Sequence, residues 1–355
     1  MDARRVAVVG IGNMGLAMAL RLRDCGFAVQ VRDIDPAREA LARGEGLGVH
    51  GSPAAASRGA GCAIVAVVDA AQAEAVLFGA DGVAAALPRG AAVLLCPTIA
   101  PQDTEALAAR LVSQGLAPVD APMSGGPARA RDGTMSLMVA CADETFELQR
   151  PVIEALSNAV FRLGPRPGDG ARAKLVNNLL AGISLAGAAE VLALAERAGL
   201  DPARTLDVIE RSSGQSWIGS DRLRRAIPGD LPPRAHTTLL NKDTHLALAM
   251  AARLDMATPV GGCRRLGGRG REAQREARAG PEGRAGLVAQ PRAMAQVGVL
   301  QLDLRAMLDG DLAHDGQAQA AAVDVGAQRA VEGPEHFLAL ARRDAGAGVL
   351  DLQHD

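Results

Sequence analysis

The run Gly10-Ile11-Gly12-Asn13-Met14-Gly15 is a G-x-G-x-x-G pattern in a setting that gives it chemical meaning. It follows an apolar, β-branched stretch and opens an amphipathic one. In that position the glycines allow a tight turn and close backbone approach to a pyrophosphate, whose phosphates the free helix N–H groups receive. Asp33 closes the next strand-like run, where a carboxylate accepts hydrogen bonds from ribose hydroxyls and repels a 2′-phosphate. Together these residues predict a dinucleotide cofactor, NAD in preference to NADP. Arg32 and Arg38 stand close enough to leave NADP open.

Lys174 and Asn178 lie four apart in an otherwise apolar stretch, which puts an amine and an amide on one helical face. Polar groups on a buried helix are costly unless they share a polar site. Burial also lowers a lysine pKa toward neutrality, making the amine a proton donor and acceptor. Only two of the 38 basic side chains are lysines, Lys174 and Lys242. Where arginine serves every ordinary positive charge, a retained lysine either marks a position that needs an amine able to lose its proton or has survived by chance. The run Asp120-Ala121-Pro122-Met123-Ser124-Gly125-Gly126-Pro127 follows another strand. It reads either as a turn with a capping serine or as a serine and glycine amides placed to grip a carboxylate.

The elements around these residues follow from apolar patterning. Runs at 6–9, 29–33, 63–68 and 92–95 lack polar alternation and read as buried parallel strands, with further strands at 118–121, 137–140 and 160–163. Helical patterns at 14–24 and 36–43 fall between them, giving βαβ units in a doubly wound sheet. From 170 to 199 there is no strand signal and apolar residues occur on every side, as in a helix buried on most faces. Asp201-Pro202 then supplies an N-cap and first-turn proline for a helix around 206–211, and another follows at 243–254. The expected fold class is α/β, a doubly wound sheet followed by an all-α domain built on a long interdomain helix.

Composition limits the partners. The chain of 355 residues has a formal net charge of −2, 2% aromatic residues and no tyrosine, which gives no reason to expect nucleic acid. The longest apolar stretch, 179–189, is shorter than a bilayer span, and Asn13 and the glycines interrupt the N-terminal apolar run too early for a signal peptide. A soluble cytoplasmic protein is expected. Cys25, Cys62, Cys96, Cys141 and Cys263 form no C-x-x-C pair and read as small buried apolar residues, with no disulfide framework and no metal site.

Five separated blocks in order resemble the β-hydroxyacid dehydrogenases, the family of 3-hydroxyisobutyrate dehydrogenase, tartronate semialdehyde reductase and L-threonate dehydrogenase. The blocks are G-I-G-N-M-G at Gly10, P-T-I-A-P at Pro97, D-A-P-M-S-G-G at Asp120, G-A-R-A-K-L-V-N-N at Gly170 and N-K-D-T-H-L-A-L at Asn241, within residues 5–259. The resemblance implies a Rossmann domain at 1–164, a helical substrate and dimerisation domain at 165–262, and hydride transfer between NAD(P) and a 3-hydroxy acid. It makes Lys174 the catalytic acid/base. Ser124, Gly125 and Gly126 become substrate-carboxylate residues, and Asn178 the amide that orients substrate. It places Gly10, Gly12, Asn13, Met14, Gly15, Asp33, Val68, Thr98 and Lys242 at the cofactor. A small hydroxy acid is then the partner, and a homo-oligomer, a dimer, is expected. Two alternatives are an imine reductase-like enzyme, a group that generally lacks the lysine, and a catalytically impaired dinucleotide-binding protein.

There are departures. Pro97 stands where the family often has serine, and Arg129 where glycine is frequent. Arg129 is either a solvated loop residue or a feature favouring a longer polyhydroxy acid. Trp217 either shapes the substrate pocket or belongs to the core, and His245 reads as a packed or surface residue. From Gly261 onward the resemblance ends in a glycine-, arginine- and alanine-rich segment expected to form no packed core. That tail, 263–355, is read as a frame-shifted or unrelated extension that leaves the helical domain incomplete.

Overall fold

The computed structural model describes residues 2–229 and 237–262. The chain opens with β1 (Asp2–Val9), α1 (Asn13–Asp24), β2 (Ala28–Arg32), α2 (Pro36–Gly44), β3 (Gly48–Val49) and α3 (Pro53–Ser57). It continues through β4 (Ala60–Val65), α4 (Ala70–Phe78), α5 (Val83–Ala86), β5 (Ala92–Leu95), α6 (Pro101–Ser113) and β6 (Ala117–Asp120). Then come β7 (Met123–Ser124), α7 (Gly126–Asp132), β8 (Ser136–Ala140), α8 (Asp143–Leu156) and β9 (Ala159–Gly164). The helices α9 (Asp169–Arg197), α10 (Pro202–Glu210), α11 (Trp217–Ala226), α12 (Thr237–Arg253) and α13 (Pro259–Gly262) follow.

The strands form one sheet in the order β3-β2-β1-β4-β5-β6-β8-β7, with β9 paired to β8. Pairs from β3 through β6 are parallel, β8 runs antiparallel to β6 and β7, and β9 is parallel to β8. Side chains alternate across the sheet, and both faces are covered. Val6, Val8, Ile64 and Leu94 pack on one side with Met18 and Leu22 of α1 and Ile153 of α8. Ala7, Val9, Ala63 and Val65 pack on the other with Leu77 of α4 and Leu107 and Leu111 of α6. Two-sided burial explains why the strands read as unbroken apolar runs. Each fully buried side chain of this size contributes about 1.5–3 kcal/mol. The strand order reverses between β1 and β4, so the crevice beyond their carboxyl ends is where a doubly wound sheet takes its ligand.

Several expectations need correction. The strand read as 63–68 stops at Val65, and Val68 lies in the loop beyond it, 45% exposed. The helix read as 243–254 begins at Thr237, which moves Asp243 from a helix start to its interior. Cys62, Cys96 and Cys141 are buried, but Cys25, at the exposed C-cap of α1, is not. Cys263 and the tail 263–355 lie outside the described residues. Gly261 falls in the segment expected not to pack, yet it is buried, and a Cβ there would meet Leu179 at 2.9 Å.

The largest correction concerns α9. It is not covered on most faces, because Val176, Leu180, Val191 and Leu194 are exposed. Within its 29 residues an 18-residue window reaches a mean hydropathy of 1.7, enough by length and composition alone to cross a membrane, where the reading of 179–189 expected too short a stretch. The helix nevertheless packs against β8 and lies along α10, α11 and α12, and its first turns carry Asp169, Arg172 and Lys174. Among those helices Ala189, Leu192, Leu206 and Leu223 form a separate small core.

Candidate active site

Gly10 follows β1 with φ +89°, and its N–H donates to the Arg32 carbonyl at 2.9 Å. A Cβ here would sit 2.7 Å from the Ala66 carbonyl oxygen, so only glycine lets the turn pass the end of β4. A Cβ on Gly15 would collide with the Gly10 carbonyl, so that glycine brings α1 onto the turn. Gly12 caps α1 with no side-chain hydrogen bond, has open space where a Cβ would project, and is followed by no acid in the first turn. Exposed Asn13 and half-buried Met14 complete that turn. A helix N-terminus with unsatisfied N–H groups and a side-chain-free approach fits a pyrophosphate.

Asp33 is fixed beside the turn. Its Oδ2 accepts from the Ile11 N–H at 2.6 Å and its Oδ1 from the Asp35 N–H at 2.9 Å. Neighbouring Arg32 pairs with Glu39 at 2.6 Å, and Glu39 also meets Arg43 at 3.2 Å. The Arg32 hydrogen bond, opposed by burial, holds the Glu39 carboxyl below the usual range, so Glu39 keeps its charge on the arginine.

The second half of the site comes from α9 and α12. Lys174 and Asn178, one turn apart, are 7% and 8% exposed. Asn178 Nδ2 donates to Asp243 Oδ2 at 2.6 Å, and Asn177 Nδ2 donates to Asn178 Oδ1 at 3.0 Å. Asp243 Oδ1 lies 3.0 Å from Lys242 Nζ in an ion pair that lacks hydrogen-bond alignment. Lys242 Nζ donates instead to the Thr98 carbonyl, tying α12 to the loop after β5. Burial pushes the Lys174 amine from 10.5 down to about 8, with Asp243 opposing the shift and Lys242 adding to it.

The structure therefore brings Lys174, Asn178, Lys242 and Thr98 together, and Gly10, Gly12, Gly15 and Asp33 around one turn. Ser124 ends β7, paired with Ser136 of β8, and is followed by Gly125 at φ +125° and Gly126 at φ +77°. Those angles exclude ordinary side chains and turn the chain sharply into α7. Arg129 packs beside Gly125, and its guanidinium stands over the Trp217 ring at 5.5 Å. Trp217 is 51% exposed, so it is not core. His245 is exposed, with Nδ1 2.8 Å from the Asn241 carbonyl oxygen. The Val68 N–H donates to Gln72 at 3.0 Å.

Sequence reasoning passed over Asp243, which is 6% exposed and joins Asn178, Lys242 and the field around Lys174. Starting the helix at 243 made the acid an ordinary first-turn residue. A carboxylate beside one of two lysines, inside an apolar helical run, was the available signal.

Comparison with known proteins agrees with this geometry. Residues 5–164 match the profile described as the NAD binding domain of 6-phosphogluconate dehydrogenase. Residues 168–275 match that of the NAD-binding region of NADP-dependent 3-hydroxyisobutyrate dehydrogenase, running past Pro259. The chain is 39% identical over 260 residues to an L-threonate dehydrogenase of Cupriavidus necator, covering 73% of this chain and 87% of that protein. It is 37% identical over 267 residues to a 3-hydroxyisobutyrate dehydrogenase of Pseudomonas aeruginosa, covering 72% and 88%. The crystal structure of a 3-hydroxyisobutyrate dehydrogenase from Salmonella typhimurium superposes with TM-score 0.68 at 34% identity, over 72% of this chain and 90% of that one. The chain belongs to the β-hydroxyacid dehydrogenase family, NAD(P)-dependent oxidoreductases of hydroxy acids.

Proposed function

We propose that this protein is an NAD-preferring dehydrogenase of 3-hydroxy acids, with L-threonate as the favoured substrate and Lys174 as its general acid and base. The observation that carries this reading is the buried Lys174 amine, held near pH 8 beside the Asn178–Asp243 pair. The Gly10 turn would hold NAD, which would supply the hydride acceptor for the substrate carbon. Lys174, neutral, takes the hydroxyl proton as the carbinol becomes a carbonyl, and gives it back in reduction. Asn178, fixed by Asp243, orients the substrate oxygen toward the amine. The Ser124 hydroxyl and the Gly125 and Gly126 N–H groups hold the carboxylate, and Lys242 and Thr98 close the cofactor side.

The preference for NAD rests on Asp33, a carboxylate fixed beside the Gly10 turn where it would meet the ribose hydroxyls, and on Arg32, whose charge is taken up by Glu39. Arg129 against Trp217, beside the serine loop, suits a longer polyhydroxy chain. The domains divide at 164, and the enzyme works in the cytoplasm. The test is a panel of L-threonate, 3-hydroxyisobutyrate, glycerate and serine, each assayed with NAD and NADP by nicotinamide absorbance. L-threonate with NAD is expected to give the highest kcat/KM. NAD binding without turnover of any of the four would favour the impaired-protein alternative.

The exposed stripe Val176, Leu180, Gly187, Val191 and Leu194 recurs at helical spacing along α9 and supports self-association. Sedimentation of the full chain is expected to show a dimer that Leu180→Glu with Leu194→Glu converts to monomer. A wild-type monomer at micromolar concentration would contradict that assignment.

A further inference from the structure

Asp120 ends β6 and is 1% exposed. Its Oδ2 accepts from the Gly168 N–H at 2.7 Å and the Ala171 N–H at 3.1 Å, across 48 and 51 residues of sequence. The first turn of α9 has no cap of its own, because Gly168 is its N-cap residue. Asp169, the acid in that turn, pairs outward with Arg172 at 2.9 Å and Arg166 at 3.4 Å. A Cβ on Gly170 would sit 2.9 Å from the Asp120 carboxyl and 2.7 Å from the Met138 carbonyl oxygen, so glycine lets the helix backbone rest directly on the strand ends.

We infer that Asp120 is a positioning residue for catalysis, a cap supplied by the sheet that fixes the α9 face carrying Lys174 and Asn178 relative to the Ser124 loop. The connections are short on both sides. Ser124 lies four residues after Asp120 on a segment pinned by the Ala121 N–H to the Leu95 carbonyl at 2.9 Å and by the Met138 N–H to the Pro122 carbonyl at 3.0 Å. Lys174 lies three residues beyond Ala171, within one turn of the captured N–H. A carboxylate at a helix N-terminus is favoured by the unsatisfied N–H groups and the helix dipole, and more so when shielded from water. Burial lifts its carboxyl to about 6, against the pull of the Ala171, Gly168 and Gly170 N–H groups and with Asp169 adding to the rise. It remains ionised at neutral pH. Among the described residues, Cys96 and Cys141 are further titratable groups that feel its charge.

The inference rests on Lys174 as the proton carrier, and its test separates the two. Asp120→Asn keeps an acceptor oxygen for the two N–H groups but loses the charge, whereas Asp120→Ala loses both. In the full chain, kcat is expected to fall about 3–10-fold for Asn and about 10–100-fold for Ala, since small misplacement of a reacting group has effects of this size. NAD affinity, read by fluorescence titration, is expected to stay within about twofold of wild type, because the Gly10 turn is untouched. The kcat inflection near pH 8 should also move, by more in Ala than in Asn, as Lys174 shifts relative to Asp243 and Lys242. Should Asp120→Ala fail to fold, Asp120→Asn decides alone. Variants with wild-type kcat and inflection, or a loss confined to melting temperature or to NAD affinity, would overturn the inference while leaving Lys174 in place. Full activity in Lys174→Ala would instead overturn the reading beneath it.

Discussion

Replacing Lys174 with alanine is expected to lower kcat by roughly 10²–10⁴-fold, the usual contribution of a positioned general acid or base, while NAD affinity stays near wild type. The split follows from the fold, because the amine stands on α9 and the phosphate-binding turn on β1 and α1. Lys174→Met makes the same point through stability. The folded-state pKa is lowered from 10.5 to about 8, so below pH 8 the amine is charged in both folded and unfolded chains and the fold bears the whole cost of burying it. At about 1.36 kcal/mol per pKa unit, removing that charge should stabilise the protein by roughly 1–3 kcal/mol at pH 7. The gain declines as pH rises through 8 and vanishes above 10.5, where both states are neutral. Urea unfolding at pH 7 and pH 10 measures it. An inactive but more stable Met variant is the expected result, and equal or lower stability at pH 7 would contradict the burial argument.

Gly15→Ala is expected to weaken cofactor binding by about 10–100-fold. The added methyl collides with the Gly10 carbonyl oxygen, and both partners are backbone, so no side chain can rotate away. Either α1 moves off the turn or the turn opens. Overpacking of this kind costs about 1–3 kcal/mol. At about 1.4 kcal/mol per tenfold, that weakens NAD binding by ~10–100-fold. Gly12→Ala is the contrast, because its Cβ meets nothing within 4 Å. It should fold normally and lose affinity only through the space it takes from the pyrophosphate. Isothermal titration with NAD, alongside melting curves, distinguishes the two. Wild-type affinity in Gly15→Ala would contradict the tight-turn geometry.

What could be read from sequence was whatever depends on local chemistry. The Gly10 turn, the Asp35 cap that accepts from the Ala37 N–H at 2.8 Å, and the Asp201 cap that accepts from the Arg204 N–H at 2.8 Å each act within a few residues. Continuous apolar runs identified the central strands because both sheet faces are covered. Lys174 and Asn178 were visible because polarity on an apolar helix is conspicuous. The partners that complete the site were not visible. Asp243 meets Asn178 across 65 residues and Asp120 meets Gly168 across 48, and spacing says nothing about pairs that only the fold brings together. The bare side of α9 was missed for a related reason. Uniform apolarity shows that a helix seeks cover, but not which neighbours supply it. Val68 was drawn into a strand because valines continue the apolar run, although pairing with β1 ends at Val65.

The proposed proton carrier is a buried amine, and the pH dependence of kcat reads that amine directly. Oxidation requires neutral Lys174 and should rise through an inflection near pH 8, whereas reduction requires the ammonium and should fall through the same inflection. Measured from pH 6 to pH 10 in both directions with NAD and L-threonate, or NADH and its oxidised product, the two curves should mirror each other, and Lys174→Ala should flatten both. Curves flat across pH 8 in the wild type, or an inflection that persists without Lys174, would contradict the account.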